Sequence, residues 1–137
     1  MRQLQRIMHV EDELDLRDVV AMALQSFGGF TVESCESGSQ ALEKVDAFKP
    51  DIILLDVMMP IMDGTATLKA LKANPATAHI PIIFMTAKLL PADHARYIAL
   101  GAVGVIGKPF RVEQLCQRVQ ELWTQANAAA PEPAKHD

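Results

Sequence analysis

The sequence predicts an α/β domain built on a mainly parallel β-sheet, and three observations indicate this class. Short apolar segments alternate with amphipathic helical patterns along most of the chain, as in successive βαβ units. Two of these segments, residues 52–55 and 80–85, are apolar throughout, which is typical of strands buried on both faces. Asp56 directly follows the first of them, and Pro60, which lacks a backbone N–H, prevents that strand from continuing.

Each element has its own signal in the sequence. Strands are predicted at residues 4–10, 30–35, 51–56, 80–85 and 103–106. Helices are predicted at residues 13–27, from Ser37 to about Phe48, from Asp63 or Gly64 to Asn74-Pro75, from Pro91 to near Gly101, and at about 111–126. Ser37 and Gln40 fit a capping box that opens the second helix. Gly28-Gly29 ends the first helix, since glycine favours the positions just beyond a helix C-terminus.

The alternation of strands and helices also predicts how the strands are arranged. Right-handed crossovers place helices on both faces of a parallel sheet, which gives a three-layer sandwich. Five strands and five helices favour a flavodoxin-like (βα)5 fold with strand order 2-1-3-4-5 and a crevice between strands 1 and 3. We predict one domain over residues 1–124 and, at 125–137, a disordered tail rich in alanine and proline.

Composition and charge argue against several classes of protein. The net charge is −4 and no basic stripe is present, so direct binding to nucleic acid is not expected. No apolar window approaches the roughly 18–20 residues of a membrane span, and residues 1–6 carry no apolar signal-peptide core. Two cysteines, Cys35 and Cys116, are too few for a disulfide scaffold. These features predict a reduced, cytoplasmic protein without membrane insertion.

Chemically active side chains follow four of the five predicted strands. Glu11 and Asp12 follow the first strand, and Asp56 closes the third. Thr86 closes the fourth strand, and Lys108 follows the fifth. Because the carboxyl ends of parallel strands lie at one edge of a sheet, and strands 1 and 3 are predicted neighbours, we expect the three carboxylates to converge.

Three converging carboxylates need a compensating positive charge. At an effective dielectric of about 20, each pair of like charges at ~4 Å costs on the order of 4 kcal/mol. Lys108 supplies one positive charge, and a magnesium ion (Mg²⁺) suits a site of carboxylates, a carbonyl and a phosphate. The remaining oxygen of Asp56 could then act as a nucleophile towards phosphorus. Thr86 and Lys108 are of the right types to hold phosphoryl oxygens.

Each of these residues also has an ordinary structural explanation. Glu11 and Asp12 could simply favour the positive end of the next helix. Asp56 could be a helix cap or a turn carboxylate, Thr86 a turn residue, and Lys108 a solvated surface lysine. Their joint arrival at one sheet edge favours a functional site over four separate structural roles.

Four motifs together resemble the receiver domains of two-component response regulators, in particular the stand-alone type represented by the chemotaxis response regulator. The motifs are Val10-Glu11-Asp12-Glu13, Asp56-Val57-Met58-Met59-Pro60-Ile61-Met62-Asp63-Gly64, Met85-Thr86-Ala87 and Lys108-Pro109-Phe110. They match in order and spacing over residues 4–124. Each motif alone is weakly specific, but the combination is highly specific.

The resemblance implies a Mg²⁺-dependent phosphoacceptor. Asp56 would accept a phosphoryl group from a phosphohistidine on a histidine kinase or a histidine phosphotransfer protein. Asp12 and Asp56 would bind Mg²⁺ directly together with the Met58 backbone carbonyl, and Glu11 would assist through water. The protein would catalyse only its own phosphorylation and dephosphorylation.

The resemblance also implies how the phosphoryl group is held and read. Thr86 and the Ala87 backbone N–H would bind it in the active state, and Lys108 would pair first with Asp56 and then with the phosphate. The Lys108-Pro109 bond is expected to be cis, which X-Pro bonds allow at a cost of about 0.5–1 kcal/mol.

The implied output is a changed protein-binding surface formed by the fourth helix, the fifth strand and the last helix. Candidate contact residues for a downstream target protein are Leu89, Leu90, His94, Tyr97, Val105 and Val112. Since no output domain is recognised in the chain, we expect it to bind another protein or to relay phosphate to a histidine phosphotransfer protein. A docking module that works without phosphorylation is a weaker alternative.

One position departs from the family, and two other classes of protein fit the residues less well. Val105 stands where the family often has an aromatic residue, so only the threonine half of the expected switch is present. Phosphatases with an aspartyl nucleophile carry a second aspartate where this chain has Met58. A flavin or nucleotide module needs a phosphate-binding loop after the first strand, whereas Glu11-Asp12-Glu13 would repel phosphate.

Overall fold

The computed structural model describes residues 3–129, in which one five-stranded sheet carries helices on both faces. The strands are β1 (Arg6–Val10), β2 (Thr31–Cys35), β3 (Ile52–Asp56), β4 (Ile82–Thr86) and β5 (Gly104–Gly107). The helices are α1 (Leu14–Ser26), α2 (Gly38–Phe48), α3 (Gly64–Ala73), α4 (Pro91–Leu100) and α5 (Val112–Ala129). The predicted elements are confirmed in number, type and order within the described region.

The strand order is β2-β1-β3-β4-β5 and every neighbouring pair is parallel, which confirms the predicted topology. β1 and β3 pair in a register that runs from Ile7 opposite Ile52 to Val10 opposite Leu55. The two strands therefore end side by side. Glu11, which comes next after Val10, and Asp56, the last residue of β3, are brought to the same point of the sheet edge.

The core lies in two layers, one on each face of the sheet. Every residue of β3 and β4 is buried, as their apolar sequences predict for central strands. Alternate strand residues such as Ile53 and Phe84 pack with side chains from α2, α3 and α4, and their neighbours Leu54 and Ile83 pack with α1 and α5. Full burial of one such side chain contributes about 1.5–3 kcal/mol relative to exposure. The sheet is therefore a rigid base for the residues at its edge.

Polar caps fix the helices that begin near this edge. The Ser37 hydroxyl oxygen accepts from the Gln40 N–H at 3.1 Å, as the capping box predicts. The Gln40 side chain accepts from the N–H of Glu36 at 2.9 Å, one residue before the position expected. Asp63 caps α3 by accepting from the Ala66 N–H at 2.9 Å.

The last helix is longer than predicted. α5 continues to Ala129, so residues 125–129, which were assigned to the disordered tail, are helical. Three of these five residues are alanine, which has the highest helix propensity and therefore favours continuation of the helix. The rest of the predicted tail, 130–137, lies outside the described residues. Between residues 3 and 129, no helix combines the length and apolarity needed to cross a bilayer.

The Ser37 cap gives a direct test of how α2 is held. Replacing Ser37 with alanine removes the acceptor for the Gln40 N–H, so Ser37→Ala should lower the free energy of unfolding by about 1 kcal/mol, measured in urea. Ser39→Ala is the matched control, because Ser39 is exposed inside the same helix and alanine favours helix there. Equal losses in both variants would show that the cap is not responsible.

Candidate functional site

Three carboxylates converge where β1 and β3 end. One oxygen from each of Glu11, Asp12 and Asp56 lies within 4.8 Å of the others. The side chains of Glu11 and Asp56 are only 3% and 4% exposed, whereas Asp12 is exposed. The predicted convergence is therefore present, with two buried carboxylates and one facing solvent.

Lys108, in the loop after β5, neutralises part of this charge. Its Nζ donates to Oδ1 of Asp56 at 2.8 Å and to Oε1 of Glu11 at 3.1 Å. Burial by itself lowers the pKa of Lys108, but the hydrogen bonds and charges of Asp56 and Glu11 outweigh it, so that its pKa lies above the ordinary value. The ammonium is thus held in its charged form between two carboxylates.

One ammonium does not compensate the whole cluster. Burial is the main cause that raises the pKa of Glu11, and the charge of Asp56 adds to it against the opposing effect of Lys108. The pKa of Asp56 is raised in the same way, first by burial and further by the charge of Asp12. Three carboxylates close to one ammonium exceed its charge when they are ionised, and clustered carboxylate oxygens are the donors that a hard divalent cation prefers.

Thr86 lies at the same sheet edge but makes other contacts. Its hydroxyl accepts from the Lys88 N–H at 3.0 Å and donates to the Lys88 carbonyl at 3.3 Å, closing a turn after β4. Its own carbonyl accepts from the Lys108 N–H at 2.8 Å, which ties the ends of β4 and β5 together. The structure therefore brings Glu11, Asp12, Asp56 and Lys108 into one cluster and leaves the Thr86 hydroxyl outside it.

The remaining predicted site residues surround the cluster. Met58 lies two residues after Asp56, and its side chain is 70% exposed. Ala87 is exposed directly after Thr86. The peptide bond between Lys108 and Pro109 is cis, as the resemblance implied.

The predicted output face is only partly available for contact. Leu89, Leu90 and His94 are exposed, but Tyr97 and Val105 are buried, so these two cannot be direct contact residues. Tyr97 points into the core because its ring meets Phe84 edge-on, with the ring centroids 5.0 Å apart. The spacing of residues along α4 did not reveal this contact, since Phe84 lies on a different element.

Two further residues near the cluster were not foreseen as part of it. Arg17 reaches back from α1, and its Nη1 donates to the carbonyls of Glu11 at 2.8 Å and Asp12 at 3.4 Å. His9 is fully buried in β1, and burial, with smaller effects of Lys108 and Arg17, lowers its pKa to about 3. His9 is therefore neutral at physiological pH. No motif in the sequence marked either residue as part of the site.

Comparison with known proteins agrees with this fold. Residues 7–120 match the response regulator receiver domain. The chain belongs to this family. Its structure is similar to that of the chemotaxis protein CheY4 of Vibrio cholerae, with a TM-score of 0.81, 31% identity, and coverage of 87% of this chain and 98% of that one.

Larger relatives share the receiver domain over part of their length. A probable cyclic di-GMP phosphodiesterase of Vibrio cholerae is 35% identical over 113 residues, which cover 82% of this chain and 25% of that protein. The phosphate regulon transcriptional regulatory protein PhoB of Klebsiella pneumoniae is 33% identical over 127 residues, or 93% of this chain and 55% of that protein. The chain thus spans about a quarter to a half of these relatives, and their names describe the longer proteins.

The raised pKa of Asp56 predicts how stability depends on pH. A carboxyl group whose pKa is higher in the folded state stabilises the fold fully below its unfolded pKa, about 3.9, and loses that contribution as pH rises through the folded value. Asp56→Asn cannot ionise. Without divalent cations, its free energy of unfolding should therefore exceed that of the wild type at pH values above the folded-state pKa of Asp56. The difference should shrink towards acidic pH.

Urea unfolding from about pH 4 to pH 8 measures this difference. Asp63→Asn is the control of opposite sign, because the Ala66 N–H lowers the pKa of Asp63, whose contribution is present at neutral pH and lost in acid. An Asp56→Asn variant that is less stable than the wild type at neutral pH would contradict the conclusion that ionised Asp56 destabilises the fold in the absence of a cation.

Proposed function

We propose that this receiver domain accepts a phosphoryl group on Asp56 from the phosphohistidine of a histidine kinase or a histidine phosphotransfer protein, in a Mg²⁺-dependent reaction. The observation that carries the proposal is the arrangement of Asp56 at the sheet edge, paired with Lys108 at 2.8 Å and joined by the carboxylates of Glu11 and Asp12. The family match supports phosphoacceptor signalling in general, and these contacts support the particular residues.

The chemistry proposed for Asp56 is nucleophilic attack on phosphorus. Lys108 engages Oδ1 of Asp56, and the second oxygen is the proposed nucleophile. A bond forms between this oxygen and phosphorus while the bond between phosphorus and the imidazole nitrogen breaks. The donor ring, which carries a proton on its other nitrogen, takes the bonding electron pair and leaves as neutral imidazole. The product is an acyl phosphate whose oxygens lie within reach of the Lys108 ammonium.

The proposed metal ligands are the carboxylates of Glu11, Asp12 and Asp56 and the Met58 backbone carbonyl. The convergence of three carboxylates around a single ammonium supports this assignment, because two buried carboxylates and one exposed carboxylate carry more negative charge than Lys108 can neutralise. When bound, Mg²⁺ would neutralise charge on the carboxylates and on the incoming phosphoryl oxygens. Glu11 also keeps Lys108 in place through its own hydrogen bond to Nζ.

The proposed switch depends on the two hydrogen bonds of the Thr86 hydroxyl. A phosphoryl group on Asp56 adds about −1.5 to −2 charge and several acceptor oxygens. For Thr86 and the Ala87 N–H to bind it, the hydroxyl must leave the backbone of Lys88. The loop that carries Leu89 and Leu90 would then move, because Lys88 belongs to the same loop.

The proposed output face is formed by α4, β5 and α5. Leu89, Leu90 and Ile98 give it exposed apolar groups, at 45%, 63% and 41% exposure. A downstream target protein that contacts this face would sense the movement of the loop after β4. Since Tyr97 and Val105 are buried, they would affect this partner only through packing.

Phosphoryl transfer from radiolabelled acetyl phosphate tests the proposal. We expect labelling of the wild type that requires Mg²⁺ and is lost in Asp56→Asn, because the amide cannot form the acyl phosphate. Asp46→Asn is the matched control, since Asp46 is an exposed aspartate of α2 outside the acidic cluster, and it should be labelled like the wild type.

Two results would overturn the proposal. Label that persists in Asp56→Asn would mean that another residue is the acceptor. A wild type that neither binds Mg²⁺ nor becomes labelled would favour a docking module that works without phosphorylation.

A further inference from the structure

We infer that Arg17 positions the ligands of the proposed Mg²⁺ site by holding the two backbone carbonyls of the Glu11-Asp12 turn. The inference rests on the proposed function, since it concerns how the carboxylates of that site are presented. Nη1 of Arg17 lies 2.8 Å from the Glu11 carbonyl oxygen and 3.4 Å from that of Asp12.

The Glu11 carbonyl depends on Arg17 because the sheet has already ended. The Glu11 N–H still donates to the Cys35 carbonyl of β2 at 3.0 Å. Within residues 3–129, however, Arg17 is the one donor that reaches the Glu11 carbonyl. Since Glu11 is 2% exposed, water has little access to replace this contact. The guanidinium thus supplies a bond that neither the sheet nor the solvent provides.

Asp12 depends on its backbone more than the other two carboxylates do. Glu11 is fixed through its side chain, which accepts from Lys108 at 3.1 Å and from the Glu13 N–H at 3.2 Å. Asp56 is fixed by Lys108. The Asp12 carboxylate makes no hydrogen bond within the described part of the chain, so its direction is set by the turn that Arg17 holds.

The start of α1 lacks the usual means of fixing such a turn. Glu13, the residue that precedes the helix, makes no capping hydrogen bond with its side chain. Arg17 is instead anchored from within the helix, where its own N–H donates to the Glu13 carbonyl at 2.9 Å. Its backbone and its side chain therefore bind three successive carbonyls, those of Glu11, Asp12 and Glu13.

Neither helix electrostatics nor ion pairing explains a cation at this place. Arg17 is the fourth residue of α1, near the positive end of the helix dipole, where a basic side chain is unfavourable. It forms no ion pair with an acidic side chain of residues 3–129. The contacts with the carbonyls are what account for its position.

The sign of the effect on Mg²⁺ binding separates positioning from simple charge. If Arg17 acted only as a nearby positive charge, its removal would lessen repulsion and strengthen Mg²⁺ binding. If Arg17 positions the ligands, Arg17→Gln should weaken Mg²⁺ binding by about 10-fold or more, the effect typical of groups that orient metal ligands. Arg17→Lys keeps the charge but loses the planar fork, and should give a smaller weakening.

Isothermal titration of Mg²⁺ into each folded variant measures this effect. In the absence of Mg²⁺, the backbone amide NMR shifts of Asp12 and Glu13 in Arg17→Gln should differ from those of the wild type. This change would report an altered turn independently of phosphorylation. At saturating Mg²⁺ the rate of labelling by acetyl phosphate should return to near the wild-type value. Arg118→Gln, which removes an exposed arginine whose ionic partner is Glu121 on the same helix, is the control and should bind Mg²⁺ like the wild type.

Unchanged or tighter Mg²⁺ binding by folded Arg17→Gln would overturn the inference. If that variant does not fold, Arg17→Lys decides: weaker binding supports positioning, and wild-type affinity refutes it. A wild type that does not bind Mg²⁺ would instead refute the proposed function, so the two failures are distinguishable.

Discussion

The buried ion pairs of Lys108 with Asp56 and Glu11 are the interaction on which the edge of the sheet depends. Nζ of Lys108 lies 2.8 Å from one carboxylate and 3.1 Å from the other, so a single ammonium joins the ends of β1, β3 and β5. Loss of Lys108 would leave two buried carboxylates without a compensating charge, a change that typically costs about 3–5 kcal/mol. Loss of Asp56 differs, because Lys108 would still be paired with Glu11.

The surrounding structure follows from the need to hold these charges close together. The register of β1 and β3 ends both strands at the same level, and the fully apolar β3 and β4 make that level rigid. The loop after β3 folds back directly against the strand end, since a Cβ on Gly64 would overlap the Asp56 carbonyl oxygen. Burial of these charges lowers stability at this edge but leaves a site that can accept further positive charge. Burial of the two apolar layers of the core offsets that loss.

Local patterns in the sequence predicted the fold, whereas several side-chain contacts could be seen only in the structure. The apolar runs and the alternation of elements predicted the sheet order, and Ser37 predicted its cap. The convergence of Glu11, Asp12 and Asp56 followed from topology alone. By contrast, the inward turn of Tyr97 depends on its packing against Phe84 of another element, which the spacing of residues along α4 does not encode. The hydrogen bonds of Thr86 with Lys88 and of Arg17 with the Glu11 carbonyl are close in sequence, but they depend on side-chain conformations that no motif specifies.

The most direct test is the dependence of stability on Mg²⁺ at constant ionic strength. If the acidic cluster is a cation site that Lys108 leaves partly uncompensated, the free energy of unfolding should rise by about 1.4 kcal/mol for each tenfold increase in Mg²⁺ above its dissociation constant. The double variant Asp12→Asn with Asp56→Asn, which removes two of the three carboxylates, should show no such rise. A wild type whose stability does not respond to Mg²⁺ would contradict the account.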